Sequence, residues 1–358
     1  MPERDQTRCL IAAGGTGGHV LPALAVAQAL EARGAAVTFA GSPDRVESQL
    51  VPEAGFELDT FEVSGLPRRP GVELLRGLAL AGRAPFACRR ILARRRPHVV
   101  LGGGGAVSGP MVLAAGTRRI PAALTEADAH LGLSNRLAAP WAQRIFLAFP
   151  ISGLDPPKYR VTGRPIPVHS RPGSRAEARR RLDLPADEPV LLVFGGSQGA
   201  RSLNELVVRS FADEGPAVLH LAGQRDFDAL RARVSREDYR LLPYTHEFGA
   251  ALAASSLALA RAGGSVFELA AAGLPAVLVP YPHATADHQT KNARFFADGG
   301  GALMLPEAEL ERAPAVVREL LADADRLVEM SKAMLAVARV DAADVIAEEL
   351  MSLARAGR

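Results

Sequence analysis

The sequence predicts an α/β protein made of two doubly wound parallel sheets, one in each half of the chain. Three observations carry the prediction. Short apolar runs alternate with helical stretches along most of the chain, the pattern of βα units feeding a parallel sheet. Glycine clusters follow several of these runs, at Gly14-Gly15-Thr16-Gly17-Gly18, Gly102-Gly103-Gly104-Gly105 and Gly195-Gly196-Ser197-Gln198-Gly199, where a strand hands over to its helix. A segment rich in proline and glycine, residues 149–173, separates two halves of similar construction.

Taken in order, residues 9–13 form an apolar strand that ends in the first glycine loop, with a helix over about 21–33 behind it. Residues 37–40, 56–63 and 99–101 are the next strands, with helices over 43–54 and 71–96 between them. Residues 122–125 and 144–148 close the first sheet. Past the linker, 190–194, 217–221, 257–260 and 276–279 are buried strands of a second sheet. Ser265, with Glu268 three residues on, has the spacing of a capping box at the start of a short helix that Gly273 and Pro275 stop. Residues 336–354 are amphipathic and are expected to return to the first domain. The domains are therefore placed at 1–165, joined by a C-terminal helix of about 338–358, and at 166–337, facing each other across a cleft.

With 358 residues the chain is long enough for two domains, and 48% hydrophobic with 23% charged residues describes an ordinary globular protein. Net charge is +3, carried almost wholly by arginine, since lysine stands only at 158, 291 and 332. Arginine favours bidentate contact with phosphates. There is no aromatic-interleaved basic module, so nucleic acid is not expected as a partner. Cys9 and Cys88 have neither metal-ligand nor redox spacing, and a reducing cytoplasm is the simplest setting. From its charged N-terminus no signal peptide is expected, and no apolar run of about 18 residues is present to span a membrane.

The first glycine loop lacks the G-x-G-x-x-G spacing of a dinucleotide site and the Gly-Lys-Ser/Thr of a P-loop. It leaves a run of amides opening onto a helix N-terminus, with His19 at its lip. The positive helix end disfavours imidazolium, so His19 is either a neutral proton acceptor or a structural histidine. The second and third loops can hold a phosphate or can serve close packing. Gly263-Gly264 ahead of a helix suits an anion, and Glu268 either accepts from sugar hydroxyls or caps that helix. Asp226-Phe227-Asp228 and Asp323/Asp325 are read as structural, and His283, Asp287 and His288 as a polar wall instead of a metal site. Residues 66–96 carry Arg68, Arg69, Arg76, Arg83, Arg89, Arg90, Arg94, Arg95 and Arg96 against the single acid Glu73. Such a stretch contacts anionic lipid or forms a solvated face.

Together GGTGGHVLPALAVAQAL (14–30), GGGGAVSGP (102–110), FGGSQGARSLN (194–204), ELAAAGLPAVLVPYPHA (268–284) and DHQTKNA (287–293) resemble one family across nearly the whole chain. It is that of the UDP-N-acetylglucosamine–N-acetylmuramyl-pentapeptide pyrophosphoryl-undecaprenol N-acetylglucosamine transferases, the MurG family. The resemblance implies a GT-B fold and an inverting, metal-independent transfer of GlcNAc from UDP-GlcNAc to the muramic acid 4-hydroxyl of lipid I, giving lipid II. It implies peripheral attachment to the cytoplasmic face of the inner membrane, for which the anionic surface would meet residues 66–96.

Carried over to this sequence, the resemblance assigns donor binding to Thr16, Gly17, Gly18, Asp128, Arg164, Gly195, Gly196, Ser197, Gln198, Phe248, Gly263, Gly264, Ser265, Val266, Phe267, Glu268, His288, Gln289 and Asn292. Acceptor binding falls to Gly14, Gly15, Gly103, Gly104, Gly105 and Ser108. His19, Glu126 and Asp128 are the base candidates, in that order. The family's His-Glu-Gln-Asn appears here as Thr125-Glu126-Ala127-Asp128, an aromatic of the second loop is Ala106, and a turn arginine is Pro167. No cofactor or metal is implied. Rival readings are another UDP-sugar transferase of this fold, a UDP-GlcNAc 2-epimerase, and a nucleotide-sugar binding protein with weak catalysis.

Overall fold

The computed structural model describes residues 6–63, 72–196 and 199–357, with the side chains of 72–81 and of position 285 outside the description. Its described residues divide into two units. One runs up to Pro167 and takes back the chain from Arg339; the other is Val168–Ala338.

In the first unit the strands are β1 Arg8–Ala13, β2 Ala36–Gly41, β3 Glu57–Thr60, β4 Val99–Gly104, β5 Ala122–Glu126, β6 Arg144–Leu147 and β7 Tyr159–Val161. They form a parallel sheet in the order β3-β2-β1-β4-β5-β6-β7. Its central strand is apolar on both faces because helices cover both sides. Leu10 and Ala12 enter a core with Cys88, Leu92 and Met111 on one side. Cys9, Ile11 and Ala13 enter a core on the other side, shared with the helix Gly17–Glu31.

The amphipathic C-terminal stretch is two helices, Ala324–Val337 and Ala342–Ala356, because Ala338 is extended (φ −67°, ψ 138°). The second belongs to the first unit. It buries Ala343, Ile346, Ala347, Leu350 and Ala354 against the helix Gly17–Glu31. Ile346 and Leu350 are fully buried, each contributing about 1.5–3 kcal/mol of hydrophobic stabilisation.

In the second unit the strands are β8 Val190–Phe194, β9 Ala217–Leu221, β10 Tyr239–Leu242, β11 Leu257–Ala260, β12 Ala276–Leu278 and β13 Ala302–Met304. They pair in parallel in the order β10-β9-β8-β11-β12-β13. Both sheets are doubly wound, as the alternation predicts. β7, β10 and β13 are short outer strands that apolar periodicity did not mark.

Strand order decides where ligands can reach. Each sheet starts in its middle and grows outward in two directions, so a crevice opens at the C-terminal ends of the two strands flanking the reversal. In the first unit these are β1 and β4, with Ala13 opposite Gly104. In the second they are β8 and β11, with Phe194 opposite Ala260. The glycine loops leave from these four strand ends.

Candidate active site

At the first switch point the two glycine loops pack on each other. Gly14 N–H donates to the Gly104 carbonyl (3.3 Å), and a Cβ on Gly105 would collide with the Gly14 carbonyl. Gly103 packs so closely that a Cβ would lie 2.9 Å from that of Ala13. Of the two roles open to the second loop, Gly103–Gly105 serve close packing here. Ser108 is fully buried against Gly102, and its hydroxyl has no partner among the described residues.

His19 lies inside the first turn of the helix, which starts at Gly17 and not near residue 21. Its ring rests on Gly104, and its Nδ1 is 3.2 Å from the Gly14 carbonyl. A carbonyl only accepts, so that contact puts the proton on Nδ1 and leaves Nε2 as the basic nitrogen. Burial lowers the imidazole pKa below the usual histidine value, assisted by the Arg164 guanidinium and opposed by the Gly14 carbonyl, Asp128 and Glu47. Arg164 donates to the Gly18 carbonyl in the same helical turn. Thr16, Gly15 and Gly18 are exposed around the ring, and Gly17 is half-buried.

Glu126 ends β5 and is buried. Its Oε2 accepts from Gly132 N–H (2.8 Å) and Asn135 Nδ2 (2.9 Å), and its Oε1 from Asp128 N–H (3.2 Å). Burial pushes its carboxyl above the usual range against the pull of these donors. The geometry is that of a brace for the loop from 126 to 132, which carries Asp128. Thr125, Glu126 and Arg164 line a small pocket with Gly18, Ala23 and Gly103.

At the second switch point Ser197 and Gln198 lie outside the described residues. Gly196 (φ +88°) faces open space, so its backbone is accessible, whereas Gly195 and Gly199 pack against Ala200 and the Ala222 carbonyl. The helix Arg201–Phe211 starts immediately behind. Phe248 stands edge-on to Phe194 at the strand end, with ring centroids 5.3 Å apart.

Ser265 departs from expectation. Its backbone is already helical (φ −64°, ψ −9°), so its side chain does not cap, and Glu268 N–H bonds the Ser265 carbonyl instead (3.0 Å). Amides of Val266 and Phe267 are likewise taken by the Gly263 and Gly264 carbonyls (3.2 and 3.3 Å), which leaves fewer free donors than the sequence suggests. Val266 and Phe267 are buried. Glu268 is half-buried, and its carboxylate accepts no hydrogen bond from the described residues, so the capping role is absent. Gln289 Oε1 accepts from Tyr281 N–H (2.9 Å), beside a half-buried His288. Asn292 is fully buried and donates to the Ala262 carbonyl (3.2 Å), bracing the turn that bears Gly263.

Sequence reasoning passed over three supports. Glu47 is fully buried beneath the first loop. Arg261 is buried at the end of β11, where it joins the Val279 and Pro280 carbonyls to Ser202 and Glu307. A buried chain runs from Tyr239 through His220 to Asn204, which donates to Asp226 (3.0 Å) and to the Ala222 carbonyl (2.8 Å). Burial depresses His220 to about 3. Asp226 of the D-x-D is thus committed to Asn204, Arg201 and Arg225. For Arg261 and His220 the available signal was a single polar residue within an apolar segment; Glu47 had no such signal. Among the described residues no three His, Cys, Asp or Glu side chains are grouped to hold a metal ion.

Residues 9–147 match the glycosyltransferase family 28 N-terminal domain, and residues 190–347 match its C-terminal domain. A protein of Acidithiobacillus ferrooxidans named UDP-N-acetylglucosamine–N-acetylmuramyl-(pentapeptide) pyrophosphoryl-undecaprenol N-acetylglucosamine transferase is 42% identical over 350 residues, 94% of this chain and 95% of its own. One of the same name from Halothermothrix orenii is 36% identical over 339 residues, 89% of this chain and 91% of its own. The crystal structure of Acinetobacter baumannii MurG superposes with a TM-score of 0.76 at 29% identity, covering 97% of this chain and 99% of that one.

Proposed function

The chain belongs to glycosyltransferase family 28, and on that premise we propose that it transfers GlcNAc from UDP-GlcNAc to the muramic acid 4-hydroxyl of lipid I, releasing UDP and making lipid II for peptidoglycan. The likeness to transferases of that name over nine-tenths of the chain supports the substrates. The observation that carries the chemistry is His19: a half-buried imidazole at a switch point, its tautomer set by the Gly14 carbonyl and its Nε2 without a hydrogen bond from the described residues.

In this reading the acceptor O–H bond breaks as Nε2 takes the proton, the oxygen bonds the anomeric carbon, and UDP leaves with the electron pair of the bond it held. Attack opposite the leaving group inverts that carbon. Burial, and after it the Arg164 cation, disfavour imidazolium and so favour the neutral His19 that can accept the proton. Asp128 stands on the loop that Glu126 braces, which gives Glu126 a positioning task ahead of a basic one. In the second unit the open backbone at Gly196 and the positive end of the helix Arg201–Phe211 suit the diphosphate without a metal, and Glu268 suits the ribose hydroxyls.

We place the protein at the cytoplasmic face of the inner membrane. No described helix is long and apolar enough to cross a membrane. Residues 66–71 of the basic stretch lie outside the described residues. Within the helix Val72–Arg95, Arg83, Phe86, Arg89 and Arg90 are exposed and suit an anionic surface. Arg94 and Arg95 are instead engaged with the buried Asp59.

Incubation with UDP-GlcNAc and a short-chain lipid I analogue tests the proposal. Disaccharide formation is expected. Release of UDP-ManNAc from UDP-GlcNAc alone, with no disaccharide, would replace it with an epimerase.

A further inference from the structure

One peptide group joins a buried carboxylate to the base. The N–H of the Gly14–Gly15 peptide, on Gly15, donates to Glu47 Oε2 at 2.9 Å. The C=O of the same peptide, on Gly14, accepts from His19 Nδ1 at 3.2 Å. In a trans peptide these two dipole ends point in opposite directions, so Glu47 and His19 hold the unit from its two sides. The other carboxylate oxygen, Oε1, accepts from Ser42 N–H at the end of β2 (2.9 Å), and Glu47 is fully buried. Two glycines make room for it. A Cβ on Gly14 would strike the carboxylate, and one on Gly41 would come within 2.7 Å of its Cγ.

We propose that Glu47 is a positioning residue for His19, acting through the intervening peptide in the place that a carboxylate occupies directly behind the histidine of a catalytic triad. The inference rests on His19 as the base of the proposed transfer. A carboxylate accepting the N–H polarises the peptide and makes its carbonyl the stronger acceptor. That acceptor holds Nδ1–H in place, keeps Nε2 free, and stabilises the imidazolium formed when the acceptor proton reaches Nε2. The proton stays on the imidazole and is not passed on through the peptide. The charged groups facing His19 are Arg164, which favours the neutral ring, and Asp128 and Glu47, which favour the charged one.

The test uses the full chain labelled with 15N-histidine, with His19 resonances assigned by their loss in His19→Ala. In the wild type, two-bond nitrogen–proton correlations above the His19 pKa should show the Nδ1–H tautomer; the Nε2–H tautomer there overturns the proposal without any variant. In Glu47→Gln the tautomer ratio should shift towards Nε2–H and the acid limb of kcat/KM should move to lower pH. Its kcat should fall about 10–100-fold, the loss typical of an outer partner, with KM for UDP-GlcNAc unchanged. A folded Glu47→Gln with the wild-type His19 titration and acid limb overturns the proposal even if kcat falls, because loop damage alone would lower kcat without moving either. Full turnover in His19→Ala would instead overturn the base reading, and the tautomer measurement separates the two failures.

Discussion

Replacing Gly104 with alanine should push the base out of place, and the size of the effect can be worked from the structure. An alanine Cβ there would lie 2.5 Å from His19 Cδ2, 3.0 Å from Cγ and 3.2 Å from Nε2. Carbon atoms settle at about 3.5–4.0 Å, so the ring must retreat by roughly 1 Å. A displacement of that size costs about 100-fold in turnover. The fold pays as well: backbone at φ +110° strains any residue with a Cβ by about 1–3 kcal/mol, and the overpacking adds about 1–3 kcal/mol. Gly34→Ala is the control. It has φ +79° with nothing within 4 Å, so it carries strain alone, about 1–2 kcal/mol. Urea unfolding followed by the fluorescence of Trp141, the single tryptophan of the chain, reports on the unit that holds both glycines. If Gly104→Ala were no less stable than Gly34→Ala and turned over like the wild type, the packing of His19 on the second loop would be refuted.

The lowered His19 pKa has a signed consequence: protonation removes the base, so the acid limb of kcat/KM should fall below the ordinary 6.5, and Arg164→Gln, which removes a cation facing the ring, should move it upward. A limb at or above 6.5 in the wild type, or a downward move in the variant, contradicts this assignment. Glu268→Ala should weaken UDP binding about tenfold or more in titration calorimetry, whereas His19→Ala should leave it nearly unchanged while cutting turnover by about two to four orders of magnitude. Equal losses of UDP affinity in both would remove the division of labour. Asn204→Ala strips partners from His220, Asp226 and the Ala222 carbonyl in the core, and should cost the second unit about 2–4 kcal/mol in urea unfolding followed by circular dichroism. A loss under about 1 kcal/mol would mean that the buried chain is not a structural unit.

Much of this protein was legible in its sequence, because apolar alternation and glycine at strand ends are local signals of parallel βα units. They located the strands flanking both switch points, the domain-scale repeat, and His19 behind the first loop. The tertiary structure decided which local features meet. Strand order brings the loop after β1 against the loop after β4, and only that contact turns Gly103–Gly105 into packing glycines and seats the imidazole on Gly104. Glu47 reads in sequence as one acid in a short polar helix, and nothing local signals that its carboxylate lies under a loop 32 residues earlier. Ser265 had the spacing of a cap but took a helical backbone, and Asn292 proved to be a brace inside the core. Periodicity records which faces are buried; a hydrogen-bond partner depends on where the crossovers bring distant segments, and one residue's neighbours in sequence do not encode that.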